Sequence, residues 1–263
     1  MTNLTTVRAE DMGKVHNIDC MDFIPKLSDL YGGYVKCIVT SPPYNLGGDF
    51  HTMVSGKRVT YGDYDSPYKD NLEEEEYQKW QIDVLNMCYD ALTDDGIMFY
   101  NHKNRIKNGS IINPLQWIER SKFNVYQVVV LNFKSTANVD KRRFFPVHEY
   151  LYILTKDNKT KLNNINNLTD VWEMKKVPRR VSGHPAVFHE DLPLRCIEVS
   201  TEKGDLVFDP FAGTGTTLIA GKRLGRQVLG CEISEKYTQI ANERLSKITI
   251  ERLRGGGGII ENN

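Results

Sequence analysis

Two short segments carry residue types whose spacing can do chemistry. The first is Thr40-Ser41-Pro42-Pro43-Tyr44-Asn45. It follows Tyr34 to Thr40 (YVKCIVT), a β-branched run that reads as a buried strand. Two prolines after such a strand fix φ and turn the backbone out of the sheet. Neither has an N–H to donate, and each leaves its carbonyl available. Ser41 Oγ and the Pro42 carbonyl then make a rigid pair of acceptors beside the Tyr44 ring. That set suits a planar group bearing an NH2, whose two N–H bonds meet two acceptors while its π-face stacks on the ring. A lone Pro-Pro-Tyr in an ordinary turn would look the same, so the segment needs a companion.

The companion is Asp205-Leu206-Val207-Phe208-Asp209-Pro210-Phe211-Ala212-Gly213-Thr214-Gly215-Thr216-Thr217. A strand runs into Gly-x-Gly and then a helix. Gly213 and Gly215 let a ligand lie against the backbone, and the helix N-terminus offers free N–H groups. A phosphate-binding P-loop would need Gly-Lys-Ser/Thr, and no lysine is present. A dinucleotide fingerprint would need a third glycine where this chain has Leu218. A nucleoside without a pyrophosphate, such as S-adenosylmethionine, remains. Asp209 would then sit by the cationic methionine end. Glu232, 23 residues further on, would take both ribose hydroxyls, close to the roughly 20-residue spacing that a β-α-β unit imposes. A tight βα turn alone would also explain the two glycines; Glu232 makes that reading less economical.

These residues must be held by a sheet. Val15 to Asp19, Tyr34 to Thr40, Gly96 to Tyr100, Asp205 to Phe208 and Gln227 to Ile233 read as short strands, and Phe123 to Phe133 and Val147 to Thr155 as longer ones. Glu73 to Leu92 has helical spacing, with Tyr77, Trp80, Val84, Met87, Cys88 and Leu92 on one face. Thr216 to Leu224 and Glu235 to Ile250 are further helices. The alternation predicts an α/β fold with a mostly parallel sheet and helices on both faces. Asn158 to Asn167 (NKTKLNNINN) reads as a loop, and residues 255–263, opening on four consecutive glycines, as a flexible tail.

Composition sets the outer bounds. The 263 residues are 40% hydrophobic and 26% charged, as in an ordinary globular protein. No apolar run approaches the roughly 20 residues of a membrane helix, and Met1-Thr2-Asn3-Leu4 lacks a signal-peptide core. The expectation is a cytoplasmic protein without membrane contact. Five scattered cysteines with no Cys-x-x-Cys pair argue against a disulfide framework and against a zinc site; no metal is expected. Formal net charge is zero, with 34 basic and 34 acidic residues, which excludes a uniformly basic coat protein. The charge is nonetheless divided. Residues 63–76 hold seven acids and one lysine, a net −6, whereas residues 155–183 net +4.

Taken together, the two segments resemble the DNA amino-methyltransferases, the cytosine-N4 and adenine-N6 enzymes. These share a (D/N/S)-P-P-(Y/F) catalytic motif and a D-P-F-x-G-x-G-T-T cofactor motif. The resemblance spans roughly residues 14–250. Asn17-Ile18-Asp19-Cys20 is similar to the family's G-D-x-x-x-x-L segment, and Phe145 to Tyr150 to its H-E-Y strand. His184-Pro185-Ala186-Val187-Phe188, with Leu192-Pro193, resembles the segment and helix that complete the cofactor pocket. Catalytic motif before cofactor motif is the permuted order of the beta group, which weighs against RNA or protein methylation. The intact Ser41 to Tyr44 cluster weighs against a non-catalytic DNA-binding subunit.

The resemblance implies a Rossmann-like S-adenosylmethionine-dependent methyltransferase fold with one antiparallel strand. It implies a single catalytic domain over residues 1–254, carrying a target-recognition insertion at about 156–183. Ser41, Pro42, Pro43 and Tyr44 would be catalytic. Asp19, Cys20, His184, Pro185, Asp209, Phe211, Gly213, Gly215, Thr216, Thr217 and Glu232 would bind the cofactor. None of the five cysteines follows a proline, so the covalent route of cytosine-C5 enzymes is not indicated. The amino nitrogen would attack the sulfonium methyl directly, helped by positioning and preorganised acceptors. A base inside a duplex is out of reach and must be flipped. Lys141, Arg142, Arg143, Lys175, Lys176, Arg179 and Arg180 would hold the double-stranded DNA, with Lys103 and Arg105 adding phosphate contacts and Trp172 either stacking on a base or filling local core. Ser41, where adenine enzymes more often have Asp, leans the reading towards cytosine N4, with adenine N6 as the alternative. His189 departs from the proline common at its position. A homodimer, a cognate restriction endonuclease and a prokaryotic or phage source are further expectations.

Overall fold

The computed structural model describes residues 11–31, 33–46, 51–54, 57–60, 70–134, 142–157, 160–163, 165, 168–175 and 189–248. Eight strands form one sheet: β1 (Val15–Asn17), β2 (Val35–Thr40), β5 (Leu92–His102), β8 (Asn124–Asn132), β9 (His148–Thr155), β10 (Val171–Glu173), β11 (Leu206–Asp209) and β12 (Gln227–Glu232). Two hairpins, β3–β4 (His51–Val54, Lys57–Thr60) and β6–β7 (Arg105–Lys107, Ser110–Ile112), are separate two-stranded sheets. The spatial order in the large sheet is β1-β12-β11-β2-β5-β9-β8-β10. Neighbours run parallel except at β9, which is antiparallel to both β5 and β8. One reversed strand in a parallel sheet is the architecture that the resemblance implies.

The strands are nearly continuous apolar runs because both faces are covered. Alternate residues of β5 show this: Met98 and Tyr100 enter one core, Ile97 and Phe99 the other. The first core packs α1 (Cys20–Tyr31), α2 (Glu74–Ala91) and α3 (Leu115–Ile118) through Phe23, Ile24, Leu27, Tyr77, Val84, Leu85 and Trp117. The second packs α4 (Asp191–Ser200), α5 (Thr216–Arg223) and α6 (Glu235–Ser246) through Leu192, Ile197, Leu218, Ile219 and Ala241. All five cysteines are buried and free.

Two features depart from the sequence expectations. Helix α1 carries Pro25 inside it, which costs a backbone hydrogen bond and masks the helical signal. Strand β10 is only three residues long, yet pairs with β8 from Val171↔Val130 to Glu173↔Asn132. It therefore makes the recognition-insertion segment, at least over 171–173, part of the sheet. Residues 255–263 lie outside the described residues.

Chain connections set where a ligand can bind. From β11 the chain passes through α5 to β12 on one side; from β2 it passes to β5 on the other. The order reverses between β11 and β2, and the crevice beyond the carboxyl ends at such a point is where open α/β sheets take ligands.

Candidate active site

The two segments singled out in the sequence follow those two strand ends. Residue 40 closes β2 and residue 209 closes β11. Thr40 Oγ1 donates to Asp209 Oδ1 at 2.7 Å. The same oxygen accepts the Phe211 N–H at 3.0 Å, and Thr217 Oγ1 donates to the Val39 carbonyl at 3.2 Å. Asp209 is only 2% exposed. Burial pushes its carboxyl up to about 6, against the opposing bonds from Thr40, Thr217 and Phe211. Its Oδ1 thus braces one loop against the other.

The loop after β11 is shaped by glycine where no other residue fits. Gly213 and Gly215 have φ of 50° and 82°, the left-handed region. A Cβ on Gly215 would also lie 3.0 Å from the Ala241 Cβ. Gly215 caps α5, whose first turn has free N–H groups. Glu232 faces this loop from the end of β12. Its Oε2 accepts the Gly213 N–H and its Oε1 the Ser234 N–H, both at 2.9 Å. Burial raises its carboxyl above the usual range, and those two N–H groups pull it back. Strand β1 runs alongside, with Asn17 paired to Glu232. Asp19 follows, its Oδ1 accepting the Met21 N–H at 2.8 Å at the start of α1; Cys20 is buried. Phe211 lies edge-on to Trp80, ring centroids 5.6 Å apart. A carboxylate at a strand end, a left-handed glycine loop leading into a helix N-terminus and an aromatic wall fit a nucleoside. His184 and Pro185 lie outside the described residues.

On the other side of the crevice, the Tyr44 hydroxyl is a junction. It lies 2.8 Å from Ser41 Oγ, 3.1 Å from Asn101 Oδ1 and 3.2 Å from Glu149 Oε2. Asn101 Nδ2 donates to the same Glu149 oxygen at 3.3 Å. The Glu149 carboxylate only accepts, so the single phenolic proton points towards Glu149 and Asn101. Ser41 therefore donates to Tyr44, and its remaining lone pairs are left for a donor from outside. The Tyr44 phenol is held well above its usual range, by burial first and by the Glu149 charge next.

A second network supports the proline turn from below. Tyr77 Oη donates to the Pro43 carbonyl at 2.7 Å. Tyr77 Oη in turn accepts from Gln81 Nε2 at 2.9 Å and from His102 Nε2 at 2.8 Å. His102 Nδ1 lies 2.9 Å from both the N–H and the carbonyl oxygen of Lys103. Burial pushes this imidazole down to about 3, so it is neutral. Tyr100 Oη donates to Gln81 Oε1 at 2.8 Å, and Trp117 Nε1 donates to Tyr100 at 3.1 Å. The Pro43 carbonyl is consumed by this network; the Pro42 carbonyl accepts nothing from the described residues. His102 also packs against the Tyr44 ring at 4.5 Å.

Glu149, Asn101, His102 and Tyr77 were not legible as site residues. Glu149 lay inside the quoted H-E-Y segment, the one signal that could have found it. Of the basic residues, Arg142, Arg143 and Lys175 are exposed, and Arg143 Nη2 donates to the Gly109 carbonyl at 2.6 Å. Lys141, Lys176, Arg179 and Arg180 lie outside the described residues. Lys103 Nζ stands 5.2 Å over the Tyr44 ring. Arg105 is a correction: it is 7% exposed, forked onto Glu74 at 2.7 and 2.8 Å and stacked on Tyr77 at 4.5 Å. It pins α2 to the hairpin and has no face for a phosphate. Trp172 is also core, 6% exposed, with Nε1 donating to Thr169 O at 2.7 Å and the Arg195 guanidinium on its ring.

The family model described as "DNA methylase", covering N6 and N4 methyltransferases, matches residues 35–243. The chain belongs to the N6/N4 DNA methylase family. Among curated relatives, this methylase is 28% identical over 248 residues to type II methyltransferase M.HpaI of Haemophilus parainfluenzae, covering 86% of this chain and 73% of that protein. It is 27% identical over 254 residues to M2.DpnII of Streptococcus pneumoniae, covering 83% and 85%. Its fold matches the PvuII DNA methyltransferase (cytosine-N4-specific) with a TM-score of 0.67 at 20% identity, over 90% of both chains. It matches the M1.HpyAVI–S-adenosylmethionine complex at 0.63 and 19%, over 88% and 98%. The methylase is an S-adenosylmethionine-dependent DNA amino-methyltransferase. Among the described residues no helix is long and apolar enough to cross a membrane.

Proposed function

We propose that this enzyme methylates the exocyclic N4 of a cytosine flipped out of double-stranded DNA. The observation that carries the reading is the Ser41–Tyr44–Glu149 arrangement. S-adenosylmethionine, when bound, supplies the sulfonium methyl that the amino nitrogen attacks. Glu232, Asp19, Cys20, Phe211 and the loop Gly213 to Thr217 would hold it, with His184 and Pro185 completing the pocket; Asp209 fixes the loop that does so. Ser41 Oγ and the Pro42 carbonyl accept the two amino N–H bonds and localise the nitrogen lone pair. As the nitrogen gains its methyl it must lose a proton. Ser41 can take that proton while passing its own to Tyr44, which passes its own to Glu149. The carboxylate ends neutral, and no phenolate forms. Catalysis rests on preorganised acceptors and general-base help through two hydroxyls.

A serine in this place, with a hydroxyl and not a carboxylate meeting the amino group, supports cytosine N4 over adenine N6. Pro43 shapes the turn, and the Tyr44 ring provides the stacking face. Lys141, Arg142, Arg143, Lys175, Lys176, Arg179 and Arg180 are the DNA-binding candidates. The domain would span 1–254 and act in the cytoplasm, as a homodimer alongside a cognate restriction endonuclease. The deciding experiment incubates the enzyme with plasmid DNA and labelled cofactor, digests to nucleosides and identifies the product by mass. N4-methylcytosine is expected. N6-methyladenine would overturn the choice of base, and label only in RNA or protein would overturn the DNA reading.

A further inference from the structure

The segment leading into β9 carries an exposed aromatic that the active site does not use. Arg142-Arg143-Phe144-Phe145-Pro146 precedes His148, the first residue of β9. Phe144 is fully exposed at 102%, and Phe145 is 49% exposed. Beside them the β6–β7 hairpin presents Ile106 and Ile111, which pair across it and are also exposed. Ile106, Gly109, Arg142 and Arg143 line an open cavity of about 420 Å³. Exposed apolar side chains of this size beside arginines mark a surface that meets a partner.

The segment is tied in place. Arg143 holds the hairpin turn through Gly109 O at 2.6 Å. The Phe133 N–H donates to Val147 O at 2.8 Å, and Pro146 keeps Phe145 extended. Phe144 lies five residues before Glu149, so their Cα atoms are no more than about 18 Å apart. The rim charge is basic, from Arg142, Arg143 and Lys107, the last 3.9 Å from Glu73. A second copy docking face to face would bring both arginine pairs together, whereas duplex DNA meets them with phosphates.

The geometry points to Phe144 as the wedge that enters the base stack when the target base leaves it, with Arg142 and Arg143 on the adjacent phosphates. This rests on the reading of a flipped base in duplex DNA. An apolar ring inserted between base steps lowers the cost of the vacated position. That cost is smallest for a base already mispaired, so a mispaired target should make the wedge dispensable.

The test first maps the methylated position on wild-type-treated plasmid. A short duplex with that site is then made twice, once matched and once with a mismatch opposite the target base. Phe144→Ala removes a side chain that supports no core. It should lower the single-turnover rate on the matched duplex at least tenfold relative to wild type. On the mismatched duplex the deficit should shrink to about twofold, and Phe144→Trp should restore the matched rate. Equal rates of Phe144→Ala and wild type on matched DNA would overturn the proposal. So would an equal loss on both duplexes, the result a dimer contact or a structural role would give. Wild type that labels no DNA would instead sink the DNA reading itself.

Discussion

Replacing Glu149 with glutamine tests the proton path while leaving the size of the side chain unchanged. In the native network the carboxylate can only accept, and this orients Tyr44 Oη at 3.2 Å and, behind it, Ser41 Oγ at 2.8 Å. An amide in that place can turn an N–H towards the phenol. Tyr44 would then point its proton at Asn101 or Ser41, and Ser41 would lose the outlet for a proton arriving from the base. A hydrogen bond to a charged group contributes about 1.5–3 kcal/mol, a factor of about 10–150 in rate. The contacts to Tyr44 and Asn101 are long, at 3.2 and 3.3 Å, which places Glu149→Gln at the lower end, about tenfold to thirtyfold in kcat. KM for DNA and cofactor should change less than twofold, because Glu149 acts through Tyr44. The assay is single-turnover transfer of labelled methyl to plasmid DNA from pH 6 to 9. Tyr44→Phe keeps the ring and cuts the path one step earlier. Adding Glu149→Gln to Tyr44→Phe should therefore cost nothing further, since the two act in series. Independent, multiplying losses would refute the path.

Asp209→Asn should change the pH dependence of stability. The folded carboxyl is raised from 3.8 to about 6, so its contribution is fully present below about pH 4 and is lost as pH rises through 6. From pH 7.5 to 4.5 the stability of wild type relative to Asp209→Asn should rise by about 2 kcal/mol in urea titrations; the opposite sign would contradict the buried placement. Glu232→Gln puts an amide against the N–H groups of Gly213 and Ser234 and should raise KM for S-adenosylmethionine about 10- to 100-fold with kcat nearly unchanged, read by steady-state kinetics. Trp172→Ala should cost about 3–5 kcal/mol of stability, the range for emptying a large aromatic from a core, with no change in the methylated sequence. Transfer to duplex DNA should fall steeply between 50 and 200 mM salt despite the neutral net charge, as phosphate contacts require.

Several parts of this enzyme follow from local sequence. The strands and helices around both motifs were legible because buried parallel strands are short apolar runs and each ends in a proline or glycine that changes the backbone rule. Glu232 was legible because a β-α-β unit fixes the distance between successive strand ends. Helix α1 was hidden by Pro25 and β10 by its length. Local sequence also left Arg105 with a role that folding reassigned: a basic residue near a site looks like a phosphate contact until Glu74, 31 residues away, is found forked onto it.

What the sequence determined by itself was the chemistry on offer, an acceptor pair beside a ring and a glycine loop with a distant acid. Which hydroxyl proton points where is a different kind of fact. Ser41 follows β2, while Asn101 and Glu149 lie on β5 and β9, and they meet only because β9 runs antiparallel beside β5, placing Tyr150 opposite His102. Hydrogen-bond direction depends on the partner, and here the partners are 48 to 105 residues away. No local spacing rule reaches that far, so only the tertiary structure could decide that the Tyr44 hydroxyl beside Ser41 meets Asn101 and Glu149.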